Sequence, residues 1–185
     1  MTKAILTRLA WSDAHLADIP MPVGTMRLTR SLASGLCQSL LDAANIFWGV
    51  GDRGPNIKPG AAADRYGSEH LRALASIDGA KVMPLPQAAP ALARFRLDGD
   101  AVVLEAVFEI TGTDGIAIGG LPVPYSPHAE FEPVFDLTGA PLATSPNGAD
   151  SEGIAPMPDG SFWIADEYRP SLLRVDRGGR VLVRW

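Results

Sequence analysis

The chain contains 185 residues, of which 46% are hydrophobic, and it carries a net charge of −5 at pH 7. This length suffices for one domain with a hydrophobic core, and the acidic balance argues against a nucleic-acid partner. The lone cysteine excludes an internal disulfide, and no apolar run approaches the roughly 20 residues that span a membrane.

Glycines and prolines punctuate the whole chain, which favours many short strands joined by turns. Residues 34–41 also carry a weak helical face, but the aromatic run that follows makes strands on both sides of a turn at 42–45 the preferred interpretation. Residues 57–80 are predicted to form a long insertion loop with one helical turn near 68–75. The predicted strands lie at residues 3–11, 25–30, 46–51, 91–97, 101–110, 131–137, 140–143, 153–156, 161–165, 172–176 and 180–185.

These strands predict a single all-β domain over residues 1–185. One hairpin unit recurs at wide separation, which is typical of repeat architectures such as the β-propeller. We therefore expect a propeller-like, partial ring of about three four-stranded blades. The repeated features are Gly35-Leu36, Phe47-Trp48, Asp52 and Pro55 in the first copy, and Gly153-Ile154, Phe162-Trp163, Asp166 and Pro170 in the second.

Acidic side chains gather at one end of a predicted hairpin near the C-terminus. Asp159-Gly160 forms its tight turn, whereas Glu152 and the pair Asp166 and Glu167 lie at the open end. Three carboxylates at one end of a hairpin repel one another unless a cation or good solvation compensates them. The pattern predicts a cation site.

A second polar corner, from Asp52 to Asn56, also follows an aromatic strand. Asp52 either caps the backbone of a turn or supplies another oxygen ligand to the cation. The Arg53 guanidinium suits a two-pronged contact with a phosphate or a carboxylate. A metal ion beside an arginine is a combination that can hydrolyse phosphoesters.

Other chemistries have little support in the sequence. The run from Gly49 to Gly54 matches a dinucleotide-binding spacing, but Pro55 and Pro59 follow it where the required helix would begin. The three histidines lie far apart and share no spacing, so neither a zinc site nor a catalytic triad is predicted.

The polar corner at 52–56 and the acidic hairpin near the C-terminus resemble the phytase-like, esterase-like domain family of β-propeller proteins. The resemblance rests on residues 52–56, 150–154 and 159–168 with the proline at position 170. It implies a propeller with a cation near its central channel and hydrolysis of phosphate or other esters. Carried over by position, the residues at the active mouth would be Asp52, Arg53, Asn56, Glu152, Asp166, Glu167 and Tyr168.

The resemblance and the acidic pattern together give each residue an expected role. Asp52, Glu152 and Asp166 would be metal ligands, with calcium as the suspected ion. Arg53 would clamp an anion, and Glu167 would be the base for a metal-bound water. The residues expected to contact a small-molecule ester or phosphate substrate are Asn56, Tyr168 and Arg169.

Members of this family are usually longer and often secreted. We expect no export signal at the start of the sequence as it is written, and about three blades are too few to close a ring. We expect a fragment that is incomplete at the C-terminus, or else a second chain that completes the sheet arrangement. The expected location is cytoplasmic as the sequence is written, and secreted or periplasmic if the true start is missing. The alternative function is a non-catalytic propeller module that binds a partner and uses calcium structurally.

Overall fold

The computed structural model describes residues 14–185, apart from the side chains of His128 and Ala129. Strands far outweigh helices in this part of the chain, which confirms the all-β class, and the predicted strand at 3–11 lies outside it. Its helices are all too short and too polar to cross a lipid bilayer. The strands are β1 (Ala14–Pro20), β2 (Thr25–Arg30), β3 (Gly35–Cys37), β4 (Ile46–Val50), β5 (Lys81–Val82), β6 (Ala91–Asp98), β7 (Ala101–Glu109), β8 (Val134–Phe135), β9 (Ser151–Pro156), β10 (Phe162–Asp166), β11 (Ser171–Val175) and β12 (Val181–Arg184), and the helices are α1 (Pro59–Tyr66), a 3₁₀ helix (Glu69–Ser76) and α2 (Pro127–Phe131).

The first four-stranded sheet has the order β3-β4-β6-β7, with antiparallel neighbours. The long insertion predicted at 57–80 leaves this sheet after β4 and contains α1 and the 3₁₀ helix. The 3₁₀ helix confirms the predicted helical turn, whereas α1 was not predicted. Pro59 opens α1, where its missing N–H costs nothing, and Gly67 closes it in the left-handed conformation at φ 68°.

The second four-stranded sheet has the order β9-β10-β11-β12 and is a simple antiparallel meander. Its first hairpin is the predicted one. Gly160 adopts φ 88° in the turn, and the Met157 N–H donates to the Ser161 carbonyl at 2.8 Å. The Asp159 carboxylate accepts the Ser161 hydroxyl and backbone N–H, which fixes the turn further.

The main core lies between these two sheets. Trp48 from β4 packs on Phe162 from β10 with ring centroids 4.9 Å apart, and both side chains are buried. Deleting one ring of this size from a core typically costs about 3–5 kcal/mol. One residue of each repeated aromatic pair therefore joins the two sheets.

The hairpin predicted for 131–137 with 140–143 forms in a shorter version around Thr138-Gly139. The Leu142 N–H donates to the Val134 carbonyl and the Asp136 N–H to the Ala140 carbonyl, each at 2.9 Å, and one antiparallel bridge joins Phe135 to Pro141. The short β8 also pairs in parallel with β5, which was not predicted. Pro133 and Pro141 cannot donate to a ladder, so no long antiparallel pair forms here. Among the described residues, β1 with β2 and β5 with β8 make two further two-stranded sheets, and none of the sheets closes into a ring.

Candidate metal centre

The start of β9 lies beside the start of β3, and this contact brings distant acidic residues together. A Cβ added to Gly35 in β3 would lie 2.9 Å from the β9 backbone, so only glycine allows this approach. Val50, the last residue of β4, pairs with Gly35. Asp52 follows Val50 by two residues and so reaches the start of β9, where Asp150 directly precedes the strand and Glu152 is its second residue.

Oxygens of Asp52, Asp150 and Glu152 lie within 4.8 Å of one another. Asp150 is buried, with a residue exposure of 2%, whereas Asp52 is half-buried and Glu152 is exposed. Asp52 Oδ1 also accepts the Arg53 backbone N–H, so Asp52 caps its own turn while it faces the cluster. The predicted approach of Asp52 to Glu152 is therefore observed.

The Asp150 carboxyl holds a proton more tightly than an ordinary aspartate. Burial raises its pKa to about 8, a shared hydrogen bond with Asp52 and the charges of Asp52 and Glu152 add to the rise, and Arg53 opposes it. Burial, Asp52 and Glu167 likewise raise the pKa of Glu152. Such a cluster gains stability when a cation replaces the shared proton.

The donor set fits a hard divalent cation. Asp150 Oδ1 is buried, and no hydroxyl or N–H group in the described part of the chain donates to it. Three carboxylates supply the oxygen ligands that calcium prefers, and the exposed side of Glu152 leaves room for carbonyl or water ligands. Asp52, Asp150 and Glu152 are thus the residues that could hold a metal.

Arg53 provides the positive charge beside this cluster. Its Nη1 lies 3.3 Å from Asp150 Oδ2, and it donates to Glu132 Oε2 at 2.6 Å and to the Tyr168 hydroxyl at 2.9 Å. Burial lowers the pKa of the guanidinium, but Tyr168, Asp150 and Glu132 outweigh burial and raise it. Gly120 packs directly against the Arg53 backbone, since a Cβ there would lie 1.6 Å from the Arg53 carbonyl oxygen.

Tyr168 supports Arg53 from within the protein. Its side chain is fully buried, its hydroxyl donates to the Gly120 carbonyl at 2.9 Å, and Arg53 lies 5.4 Å from its ring centroid. Burial, the largest effect, raises the pKa of this phenol. The sequence predicted that Tyr168 contacts the substrate. In the structure, its hydroxyl instead belongs to the hydrogen-bond network that orients Arg53.

Asp166 occupies a separate, hydrogen-bonded corner. Oδ1 accepts the backbone N–H groups of Asp150 and Tyr168 at 2.9 and 3.2 Å. Oδ2 accepts the Ser171 hydroxyl at 2.9 Å and an Arg184 N–H at 2.5 Å. These four donors occupy the Asp166 carboxylate, which was predicted to bind metal. Instead, this carboxylate holds the backbone N–H of Asp150 in place.

The remaining predicted residues lie around the cluster. Glu167 is exposed, its N–H donates to the Asp150 carbonyl at 2.9 Å, and its charge raises the pKa of Glu152. Asn56 Nδ2 donates to the Gly54 carbonyl at 3.4 Å, within its own loop. Arg169 is exposed on the groove beside Tyr168.

Two residues of the site were not predicted. Asp150 lies two positions before Glu152, and side chains at that spacing share one face of a strand, so the alternation rule offered a signal. Glu132 is 79 residues from Arg53 in sequence and belongs to the irregular segment after α2. No local sequence pattern could have predicted that Glu132 pairs with Arg53.

Comparison with known proteins identifies the family. The profile described as phytase-like, esterase-like activity of phytase, matches residues 33–185. The chain belongs to this family. An uncharacterized secreted protein of Arthroderma benhamiae is 37% identical in a region that covers 40% of this chain and 16% of that protein, so the chain matches a small part of the relative's length. No solved structure gave a significant match.

Proposed function

We propose that the protein is a metal-dependent hydrolase of phosphate or other esters. Membership of the phytase-like family supports hydrolase-type chemistry. The observation that supports the proposal is the convergence of three carboxylates at Asp150, whose buried Oδ1 receives no N–H or hydroxyl group from the described residues. The proposed ligands are Asp52, Asp150 and Glu152, and calcium is the proposed ion because all three donors are hard oxygens.

A divalent cation at this cluster would polarise an ester or phosphoryl oxygen and lower the pKa of a bound water. Arg53 would place its charge beside the same oxygen, held in position by Glu132 and Tyr168. Glu167, exposed and close enough to influence Glu152, is the proposed base that accepts the proton of the attacking water. Asn56 and Arg169 are the proposed contacts for the rest of the substrate.

We also infer that the two four-stranded sheets are blades of a β-propeller. Both are antiparallel meanders, and they pack face to face with their first strands, β3 and β9, side by side. Further sheets, from the same polypeptide or from a second chain, would complete the ring. The relative's description as a secreted protein supports a proposed site of action outside the cytoplasm, where calcium is plentiful.

The test is hydrolysis of p-nitrophenyl phosphate and p-nitrophenyl acetate by the metal-stripped protein with and without added calcium. We expect activity to require calcium and to fall by at least about tenfold in Glu152→Gln, which keeps the shape of the side chain but removes its charge. Glu69→Gln is the control, because Glu69 is an exposed residue of the 3₁₀ helix whose partner is Arg72. Activity that persists without metal would refute the proposal.

The alternative is a non-catalytic binding module with structural calcium. The tight network of Arg53 favours it, because Nη1 already contacts Glu132, Tyr168 and Asp150 and a substrate would compete with them. Calcium-dependent thermal stabilisation without turnover of either ester would favour the module. Calcium-dependent turnover would favour the hydrolase.

A further inference from the structure

A cavity of about 680 Å³ lies against the insertion that follows β4. Cavities of this size hold small organic molecules. Gly79, with φ 71°, allows the close approach that shapes one wall, because a Cβ there would lie 1.8 Å from the Phe131 carbonyl oxygen at the end of α2. The uncharged part of the lining suits an organic ligand, and it consists of Pro59, Gly60, Ala61, Ala75, Ile77 and Ala80.

The Glu132 carboxylate lies at this cavity between two cations. Its Oε2 accepts an N–H of Arg53 at 2.6 Å, and its Oε1 lies 3.9 Å from Lys81 Nζ. Lys81 reaches this position because β5 pairs with the segment after Glu132, where the Lys81 N–H donates to the Pro133 carbonyl at 3.0 Å. Lys81 and Glu132 both line the cavity. A carboxylate of the protein therefore fills a position that suits an oxyanion.

The contact between Glu132 and Arg53 is one that a ligand can replace. The same Nη1 of Arg53 also donates to the Tyr168 hydroxyl at 2.9 Å and lies 3.3 Å from Asp150 Oδ2. Arg53 Nε is buried and donates to no acceptor in the described part of the chain. Phe131, which precedes Glu132, is exposed, so its ring does not anchor the segment in the core. An external oxyanion can displace Glu132 and leave the guanidinium fully paired.

The charges around the cavity leave this position attractive to an anion. Asp64 lines the cavity, but it pairs with Arg72 at 3.0 Å. Asp78 is exposed, where water and salt screen its charge. Lys58, also exposed, adds a positive charge to the lining. The inner end of the cavity, between Arg53 and Lys81, is therefore the part that favours negative charge.

We propose that the cavity binds a small organic carboxylate, whose charged group displaces Glu132 and lies between Arg53 and Lys81. A carboxylate is the favoured anion because the side chain that fills the position in the free protein is itself a carboxylate. The uncharged body of the ligand lies against the small apolar residues of the lining. Glu132 is an internal competitor that occupies the position until the ligand enters. The proposal concerns binding alone and does not depend on the proposed hydrolase function.

The experiment titrates butyrate into the metal-stripped protein at pH 7 and measures its affinity from backbone amide shifts in NMR spectra. We expect Glu132→Gln to bind butyrate at least about fivefold more tightly than the unmodified protein, because the substitution removes the competing charge and keeps the shape. Glu69→Gln, which removes an exposed carboxylate paired with Arg72, should bind butyrate like the unmodified protein. Equal butyrate affinity in Glu132→Gln and the unmodified protein, or no binding by either, overturns the proposal.

Lys81→Gln tests the second cation in a chain that keeps Glu132. Butyrate should bind this variant at least about fivefold more weakly than the unmodified protein, since one of the two charges at the position is lost. Arg27→Gln, which removes an exposed charge from β2, is the matched control and should bind like the unmodified protein. If Glu132→Gln fails to fold, Lys81→Gln decides, and an affinity equal to that of the unmodified protein overturns the proposal.

Acetate and inorganic phosphate test the organic body and the anion type. Acetate lacks two methylene groups of butyrate and should bind about threefold more weakly or worse, a difference that Ala75→Phe should remove by filling the cavity. Equal affinities for acetate and butyrate in the unmodified protein overturn the role of the cavity. Phosphate that binds more tightly than butyrate and depends on Lys81 overturns the choice of a carboxylate. These titrations use no metal and no turnover, so their outcome is independent of the hydrolysis assay.

Discussion

The buried carboxyl of Asp150 gives the metal-free protein a distinctive dependence of stability on pH. Its pKa is raised from an ordinary 3.8 to about 8 in the folded protein. Between these two values the folded state keeps a proton that the unfolded chain releases. The free energy of unfolding therefore falls as pH rises through this window, by at most about 1.4 kcal/mol per pH unit for one proton.

Asp150→Asn removes this titration and keeps the shape of the side chain and an acceptor for Arg53. From pH 5 to pH 8, the unmodified protein should lose about 3 kcal/mol relative to the variant, because the retained proton must leave a buried site. Urea unfolding of both proteins in a chelator, at matched pH values across this range, measures the difference directly.

Calcium should reverse the loss in the unmodified protein, because a bound cation replaces the proton among the carboxylates. The effect should be largest near pH 8 and much smaller in Asp150→Asn. Parallel pH profiles for the two proteins in the chelator would show that the buried carboxyl does not retain a proton, and the electrostatic reasoning about the cluster would be refuted.

Three further substitutions test the architecture by urea unfolding. Asp166→Asn should cost about 3 kcal/mol, since its buried carboxylate accepts four donors, and a cost under about 1 kcal/mol would contradict that role. Gly120→Ala should cost about 3 kcal/mol because its Cβ would strike the Arg53 carbonyl, and unchanged stability would rule out this close approach. Asp42→Asn should cost about 2 kcal/mol by breaking the pair with Arg177, and a stability change as small as that of Glu69→Gln would count against it.

The parts of the fold that were predicted correctly are set by local patterns. The hairpin of β9 and β10 follows from the Asp159-Gly160 turn between two β-favouring runs, and β6 and β7 follow from alternation around a turn of the same kind. By contrast, α1 contains Gly60 and a run of small alanines, so it gives no apolar periodicity to detect. Its helical state depends on Pro59, Gly67 and packing against the 3₁₀ helix.

The candidate site was predictable only in part, for a physical reason. Asp52 follows one strand that the sequence shows and Glu152 lies at the start of another, so their convergence could be inferred. The equivalence of Asp52 and Asp166 in the sequence repeat did not extend to their roles, because Asp166 meets Ser171 and Arg184 whereas Asp52 faces the carboxylates. Which partner a carboxylate finds is decided by packing between distant segments.

Titration of the metal-stripped protein with calcium at pH 8, followed by calorimetry, tests the site most directly. We predict one calcium ion per chain in the unmodified protein and an affinity at least about tenfold lower in Glu152→Gln, with Glu69→Gln unchanged. Equal binding by Glu152→Gln and the unmodified protein, or no binding by either, would contradict a cation site at Asp52, Asp150 and Glu152.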